Sequence, residues 1–209
     1  MSSGPEGLLD QYADLWHEAT HHPFLDGVRE GSLPAGAFER WLVQDYLYVL
    51  DLLPFQTRLL AHAPRPSQAV LAGGLVALEA ELTWFEGLAR DRDIALDVLR
   101  HPTANAYREM LLGLEAESYT VGITGLWAIE RAYLEAWRSA APGHPDYREF
   151  VEHWTVPEFA AYVAGLETAA GEALQVSSDE EHGRAEEAFV NVARLERDFW
   201  EMAFAGEAG

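Results

Sequence analysis

The chain has no cysteine among its 209 residues. Disulfides, thiolate metal sites and cysteine nucleophiles are therefore excluded. Basic residues are also few, because 14 Lys and Arg stand against 35 Asp and Glu, a formal net charge of −21. Such a charge repels nucleic-acid phosphates and anionic lipids, so we expect no nucleic-acid partner and favour a neutral or cationic small molecule.

Targeting and membrane signals are missing as well. The first residues carry no basic segment followed by an apolar run, and no stretch approaches the roughly 20 apolar residues of a membrane span. We therefore expect a cytoplasmic protein that does not bind membranes. The length fits one domain over residues 1–209, with flexible ends at 1–7 and 206–209.

Alternating apolar and polar runs, which are typical of strands, are absent, and apolar residues recur at spacings of three and four instead. This pattern predicts an all-α fold of seven or eight helices packed as one bundle. Proline and glycine positions predict helices over about 35–63, 67–92, 104–117, 121–139, 157–176 and 180–204. Pro54 should kink the first of these, and Ser67 should cap the second.

Three acids interrupt the predicted apolar faces of these helices. Asp45 follows Phe38 by seven residues, Glu130 lies between Trp127 and Leu134, and Glu196 is flanked by residues of another stripe. Burying an unpaired carboxylate costs several kcal/mol, so such residues should be paired, hydrogen-bonded or used. For any single acid, the structural alternatives are an ion pair with an arginine such as Arg131, Arg194 or Arg197, or a side chain that turns to the rim. Three together favour function.

The neighbours of these acids indicate the kind of ligand. Tyr48 shares a face with Asp45, and Tyr133 shares one with Glu130. Carboxylates accept hydrogen bonds from amino groups and aromatic rings stack, so a small, flat, nitrogen-rich molecule would suit the pocket. The acids also supply a general acid and base. Glu79 and Glu81 are less clear candidates on the basis of their positions.

A metal centre is a weaker interpretation. Di-iron bundles use Glu-x-x-His pairs, and the sequence holds one such pair, Glu18 with His21, at the end of a helix. His17, His21 and His22 could in principle hold haem, but a helix C-terminus is a common place for structural histidines. We expect no metal and no cofactor, and keep a di-iron oxidase as a minor alternative.

Several short strings, taken in order, resemble the TenA family between about Trp16 and Phe204. They are His22-Pro23-Phe24-Leu25-Asp26-Gly27, Gly31-Ser32-Leu33-Pro34, Gln44-Asp45-Tyr46-Leu47-Tyr48, Glu79-Ala80-Glu81, Pro102-Thr103 with Tyr107, Pro142-Gly143-His144-Pro145 with Tyr147, and Glu196 with Phe199-Trp200-Glu201-Met202-Ala203. The resemblance implies a haem-oxygenase-like helical fold without haem, assembled as a tetramer or dimer. It also implies hydrolysis of an aminopyrimidine in thiamin salvage.

The resemblance also assigns roles to residues. Asp45 would bind the amino edge of the pyrimidine, Tyr48 and Tyr107 would line the pocket, and Phe199 would stack on the ring. Glu196 would be the acid and base, and Trp154 would take the place of a pocket tyrosine.

The chain departs from the cysteine-bearing branch of the family at Gly125, where that branch has its nucleophile. The segment Trp127-Ala128-Ile129-Glu130 is similar to the cysteine-less branch, which makes Glu130 a nucleophile, a water-activating base or an amine-binding group. We expect release of ammonia from 4-amino-5-aminomethyl-2-methylpyrimidine, or of formate from its formylamino precursor, and no efficient thiamin cleavage. The alternative is a pyrimidine-binding or scaffold protein without catalysis.

Overall fold

A computed structural model of the chain describes residues 4–205, and every regular element in that range is an α-helix. The all-α prediction is confirmed. The ten helices are α1 Pro5–Gln11, α2 Ala13–Thr20, α3 Pro23–Glu30, α4 Ala37–His62, α5 Arg65–Asp91, α6 Pro102–Leu114, α7 Tyr119–Ser139, α8 Arg148–Trp154, α9 Pro157–Val176 and α10 Asp179–Ala205.

Helix ends follow the punctuation of the sequence, with one exception. Proline occupies the first turn of α3, α6 and α9, where its missing N–H is not needed. The predicted cap at Ser67 is wrong, because Pro64 precedes α5 and Ser67 is buried inside its first turn. Helix α4 continues through Pro54 to His62, and the kink expected at this proline stays a prediction.

The count of seven or eight helices is too low for the described part of the chain, because the short N-terminal helices and α8 were not predicted separately. The flexible end expected at 206–209 lies outside the described residues. At the other end, the expected range 1–7 overlaps α1, which begins at Pro5.

The core lies between α4, α7 and α10, with α2, α5, α6 and α9 packed around them. Its largest fully buried side chains are tryptophans from three of these helices: Trp41, Trp127, Trp137 and Trp200. Interlocked aromatic rings of this size hold neighbouring helices at fixed distances. The acids on α4, α7 and α10 are therefore carried on rigid elements. No described helix is long and apolar enough to cross a membrane.

Candidate active site

One cavity lies where α4, α5, α7 and α8 meet, and it has a volume of about 40 Å³. Asp45 and Tyr48 of α4 line it, together with Glu130 of α7 and Trp154 of α8. These are four of the site residues predicted from the sequence. The apolar part of the wall consists of Val49, Leu52, Leu78, Ile129 and Phe159.

The other three predicted residues adjoin the cavity through Tyr48. The rings of Tyr107 and Phe199 lie 4.6 and 6.2 Å from the ring of Tyr48, measured between centroids. The Tyr107 hydroxyl donates a hydrogen bond to Oε1 of Glu196 at 2.5 Å. The structure therefore brings all the predicted site residues together, with Glu196 beside the cavity rather than in its wall.

Two residues in the wall were not among the predicted site residues. Glu81 of α5 accepts a hydrogen bond from Nε1 of Trp154 at 2.6 Å. Tyr133 of α7 donates one to Oδ2 of Asp45 at 2.7 Å. Glu79, the other unclear candidate, is exposed on the opposite face of α5.

The sequence does contain a signal for Glu81. Positions 71, 74, 78, 81, 85 and 89 follow one another at steps of three and four, and apart from Glu81 they are all buried. A step from Leu78 to Glu81 to Phe85 therefore places an acid in an apolar stripe, as at Asp45, Glu130 and Glu196.

The structural alternative was an ion pair between each acid and an arginine. Arg131 and Arg197 form their ion pairs with other acids. Arg131 binds Glu135 and Glu167, and Arg197 binds Glu18 and Asp198. Arg194 is exposed on α10. Asp45, Glu81 and Glu196 accept hydrogen bonds from neutral aromatic side chains instead, so no described arginine offsets their charge when they are ionised.

Burial raises the pKa values of all four acids, and repulsion from neighbouring acids adds to it for Asp45 and Glu130. Burial raises the pKa of Glu81 and of Glu196 to about 7, although the hydrogen bonds from Trp154 and Tyr107 oppose the change. For Glu130, burial and then the charge of Glu81 raise the pKa to about 8. Burial, followed by Glu81, raises the pKa of Asp45 well above its usual range. The cluster therefore holds exchangeable protons near neutral pH.

Glu130 differs from the other acids in its hydrogen bonding. The Tyr162 hydroxyl lies beside it and lowers its pKa, but this hydroxyl donates to Oε1 of Gln56 at 3.2 Å. Gly74 makes room for that contact, since a Cβ there would lie 2.2 Å from Nε2 of Gln56. One carboxyl oxygen is hydrogen-bonded in each of Asp45, Glu81 and Glu196, whereas Glu130 has the Tyr162 hydroxyl as its nearest hydrogen-bonding group. Each acid therefore keeps at least one oxygen that a ligand can reach.

Tyr48 adds a second group without a partner. Its hydroxyl is buried beside the Tyr107 hydroxyl, but it makes no hydrogen bond of good geometry to a described residue. Buried hydroxyls are nearly always hydrogen-bonded, so an orphaned one in the wall of a cavity indicates a place for a polar ligand atom. Asp45, Tyr48 and Glu130 together form a polar surface that faces one small apolar space.

The predicted minor sites lie elsewhere. Glu18 is bound by Arg197 at 3.2 Å, and His21 stacks on His17 with 4.2 Å between ring centroids. Within residues 4–205, no group of three or more His, Asp or Glu side chains is arranged to hold a metal ion. Gly125 is buried in α7 and faces Leu114, whose Cδ1 would be 2.8 Å from an added Cβ.

The sequence is similar to known proteins along most of its length. The model of the TENA/THI-4/PQQC family matches residues 9–205. A probable bifunctional TENA-E protein from Glycine max is 34% identical over 95% of this chain and 92% of its own length. The aminopyrimidine aminohydrolase of Bacillus subtilis is 26% identical over 93% of this chain and 87% of its own.

Solved structures share the fold. A TenA homologue from Pyrococcus furiosus superposes with a TM-score of 0.91 at 31% identity, covering 95% of this chain and 98% of the other. A putative TenA-like thiaminase from Sulfolobus solfataricus has a TM-score of 0.83 at 21% identity, with 97% and 96% covered. The predicted single bundle is thus a known arrangement of helices.

Proposed function

The chain belongs to the TENA/THI-4/PQQC family, and we propose that it hydrolyses the exocyclic C–N bond of an aminomethylpyrimidine in thiamin salvage. Its substrates are 4-amino-5-aminomethyl-2-methylpyrimidine, which yields ammonia, and the formylamino precursor, which yields formate. The curated aminopyrimidine aminohydrolases at 26% identity support this reaction class. The observation that carries the proposal is the cluster of Asp45, Glu130 and Glu196 around one small cavity.

Asp45 and Tyr48 are the groups that recognise the ring. The Asp45 carboxyl accepts from the amino edge of the pyrimidine, and Tyr133 fixes its orientation through the 2.7 Å hydrogen bond. The unpaired Tyr48 hydroxyl offers a further polar contact, and Phe199 and Trp154 supply aromatic surface. A flat, amino-bearing ring satisfies both the polar and the apolar parts of this wall.

Glu130 and Glu196 divide the proton transfers. The Tyr107 hydrogen bond favours the charged form of Glu196, which suits it to take a proton from the attacking water. Burial, with repulsion from Glu81 and Glu196, raises the pKa of Glu130 to about 8 and keeps it protonated at neutral pH, which suits it to give a proton to the leaving nitrogen. In the free amine, water adds OH to the methylene carbon, the C–N bond breaks, and the nitrogen leaves as ammonia. In the formylamino compound, water adds OH to the formyl carbon, the amide C–N bond breaks, and the products are formate and the free amine.

Ammonia and formate release by purified, chelator-treated protein tests this function. Glu196→Gln keeps the size of the side chain and an acceptor for Tyr107 but cannot carry a proton, so turnover should fall about 100-fold or more. Glu187→Gln, on an exposed position of the same helix, is the matched control. Tight binding of the pyrimidine without release of either product would instead select the binding protein without catalysis.

A cytoplasmic location and assembly as a tetramer or dimer are further parts of the proposal, supported by the family resemblance. Light scattering on the purified protein measures the assembly directly, and a monomeric mass at micromolar concentration would reject it.

A further inference from the structure

A second and much larger space of about 660 Å³ lies between α5 and α9 and shares part of its wall with the cavity. We propose that this groove binds an uncharged, apolar substituent on the scissile nitrogen, so that the enzyme hydrolyses N-acyl aminomethylpyrimidines with acyl groups larger than formyl. The inference rests on the function proposed above and specifies its class of substrate.

The two spaces share the residues that carry the chemistry. Glu81, Glu130 and Trp154 line both the cavity and the groove, whereas Asp45 and Tyr48 line the cavity alone. A ring held by Asp45 therefore points its aminomethyl group toward Glu130, at the junction. Anything attached to the nitrogen beyond the breaking bond must extend from the junction into the groove.

The junction contains a buried polar group that is free to meet a ligand. Glu130 is 7% exposed. The hydroxyl of the neighbouring Tyr162 donates its hydrogen bond to Gln56. In the proposed complex, this carboxyl group faces the amide nitrogen and carbonyl of an acylated substrate. The groove thus adjoins the reacting centre through Glu130, which lines both spaces.

The wall of the groove suits an apolar chain. One side of α5 presents only small residues, Ala69, Gly73, Ala77 and Ala80, at steps of three and four. All four are solvent-exposed, so their side of α5 is open to an incoming molecule. Val70, Val156 and Phe159 add apolar contacts from both helices.

Charge selects among the possible substituents. The groove includes Glu81, Glu130 and Glu158, and none of its described lining residues is Lys or Arg. Burial lowers the pKa of His153, which leaves this histidine uncharged near neutral pH. A terminal carboxylate or phosphate on the acyl group would meet only negative charge, so anionic acyl groups should be rejected.

The chemistry stays the same as for the formyl compound. Water adds OH to the acyl carbon, the acyl C–N bond breaks, and the nitrogen takes a proton. The products are the free aminomethylpyrimidine and the carboxylic acid, and no oxidant or other co-reactant is needed.

The experiment compares the free amine with its formyl, butyryl and succinyl amides, using kcat/KM for turnover and calorimetry for binding. The butyramide should be hydrolysed within about 10-fold of the formamide. The succinamide, which has the same chain length, should be at least about 100-fold slower, because its charge is repelled.

Gly73→Leu tests the position of the groove, because a Cβ at Gly73 has open space around it and the added carbons fill the groove. It should lower kcat/KM for the butyramide about 10-fold or more while the free amine and formamide change less than about 3-fold. Gly87→Leu is the matched control, since its Cβ also meets no atom within 4 Å and it lies on the same helix outside the groove.

Three results would overturn the inference. If the protein hydrolysed the free amine and the formamide but neither hydrolysed nor bound the butyramide, the role of the groove would be rejected and the proposed function would stand. If the protein neither hydrolysed nor bound any of the four compounds, both the role of the groove and the proposed function would be rejected. If Gly73→Leu changed the oligomeric mass and left the substrate preference intact, the groove would be a contact between copies of the chain.

Discussion

Replacing Glu196 by glutamine should make the protein more stable at alkaline pH while it removes activity. Glu196 is 5% exposed and keeps its hydrogen bond from Tyr107 if the carboxyl becomes an amide, because the amide oxygen is also an acceptor. The substitution therefore removes a charge without opening a cavity. The sign and size of the effect follow from the pKa of the buried acid.

The pKa of Glu196 is raised from its ordinary value of 4.5 to about 7. The native state therefore keeps a proton that the unfolded chain releases, and stability falls as pH rises from about 4.5 to about 7. At about 1.4 kcal/mol per pKa unit, ionised Glu196 costs the wild-type protein about 3 kcal/mol at pH 8 and less than about 1 kcal/mol at pH 5. Glutamine does not incur this cost at either pH.

Thermal unfolding at fixed protein concentration measures the prediction at both pH values. A gain of about 3 kcal/mol should raise the Tm of Glu196→Gln above wild type by roughly 6–12 °C at pH 8, and by much less at pH 5. Glu187→Gln, exposed on the same helix, should show no such dependence on pH. If the change in Tm caused by Glu196→Gln were the same at pH 5 and pH 8, as expected for Glu187→Gln, the pKa of Glu196 would not be raised in the native protein. That result would refute the reasoning.

Three further predictions concern the cavity and α7, the helix that carries Glu130. Tyr133→Phe removes the hydrogen bond that holds down the pKa of Asp45, so calorimetry should show roughly 10-fold or more weaker pyrimidine binding. The pH profile of kcat/KM should be bell-shaped with a maximum between about 7 and 8, because Glu196 must be ionised and Glu130 protonated; a flat profile from pH 6 to 9 would contradict this assignment. Gly125→Cys should not release the thiazole half of thiamin and should lower stability by about 1–3 kcal/mol through its contact with Leu114, so rapid thiamin cleavage by this variant would be contrary evidence.

The helices could be predicted where the sequence itself ends them. Pro157 and the serines after Val176 bound α9, and the predicted range 157–176 is the observed one. At Ser67 the same rule failed, because two candidate starts lie within a few residues and Pro64 supplies the extended residue before the helix. Short elements such as α8 have too few turns to show a period, so packing decides them.

The acids of the site could be found because each breaks an apolar stripe that the sequence shows. Asp45, Glu130 and Glu196 lie on three different helices, and only packing brings the first two into the wall of one cavity with Glu196 beside it. Glu81 obeys the same rule, but the sequence leaves it a less clear candidate alongside Glu79, since Leu75 and Leu82 near it blur the stripe. The hydrogen bonds from Trp154 and Tyr133 connect residues far apart in the chain, and no spacing in the sequence indicates them.

The pattern of partners around these acids argues for use rather than for structure. An acid kept only for stability would gain most from an arginine, yet Arg131 on α7 binds Glu135 and Glu167 instead of the adjacent Glu130. Neutral donors leave each carboxyl with a pKa near the pH at which it must gain and lose a proton. Arginine would lower those pKa values and end the exchange. The buried carboxyls therefore lower the stability of the protein for the same reason that they can exchange protons. Substitutions of these acids that raise the stability should also lower turnover.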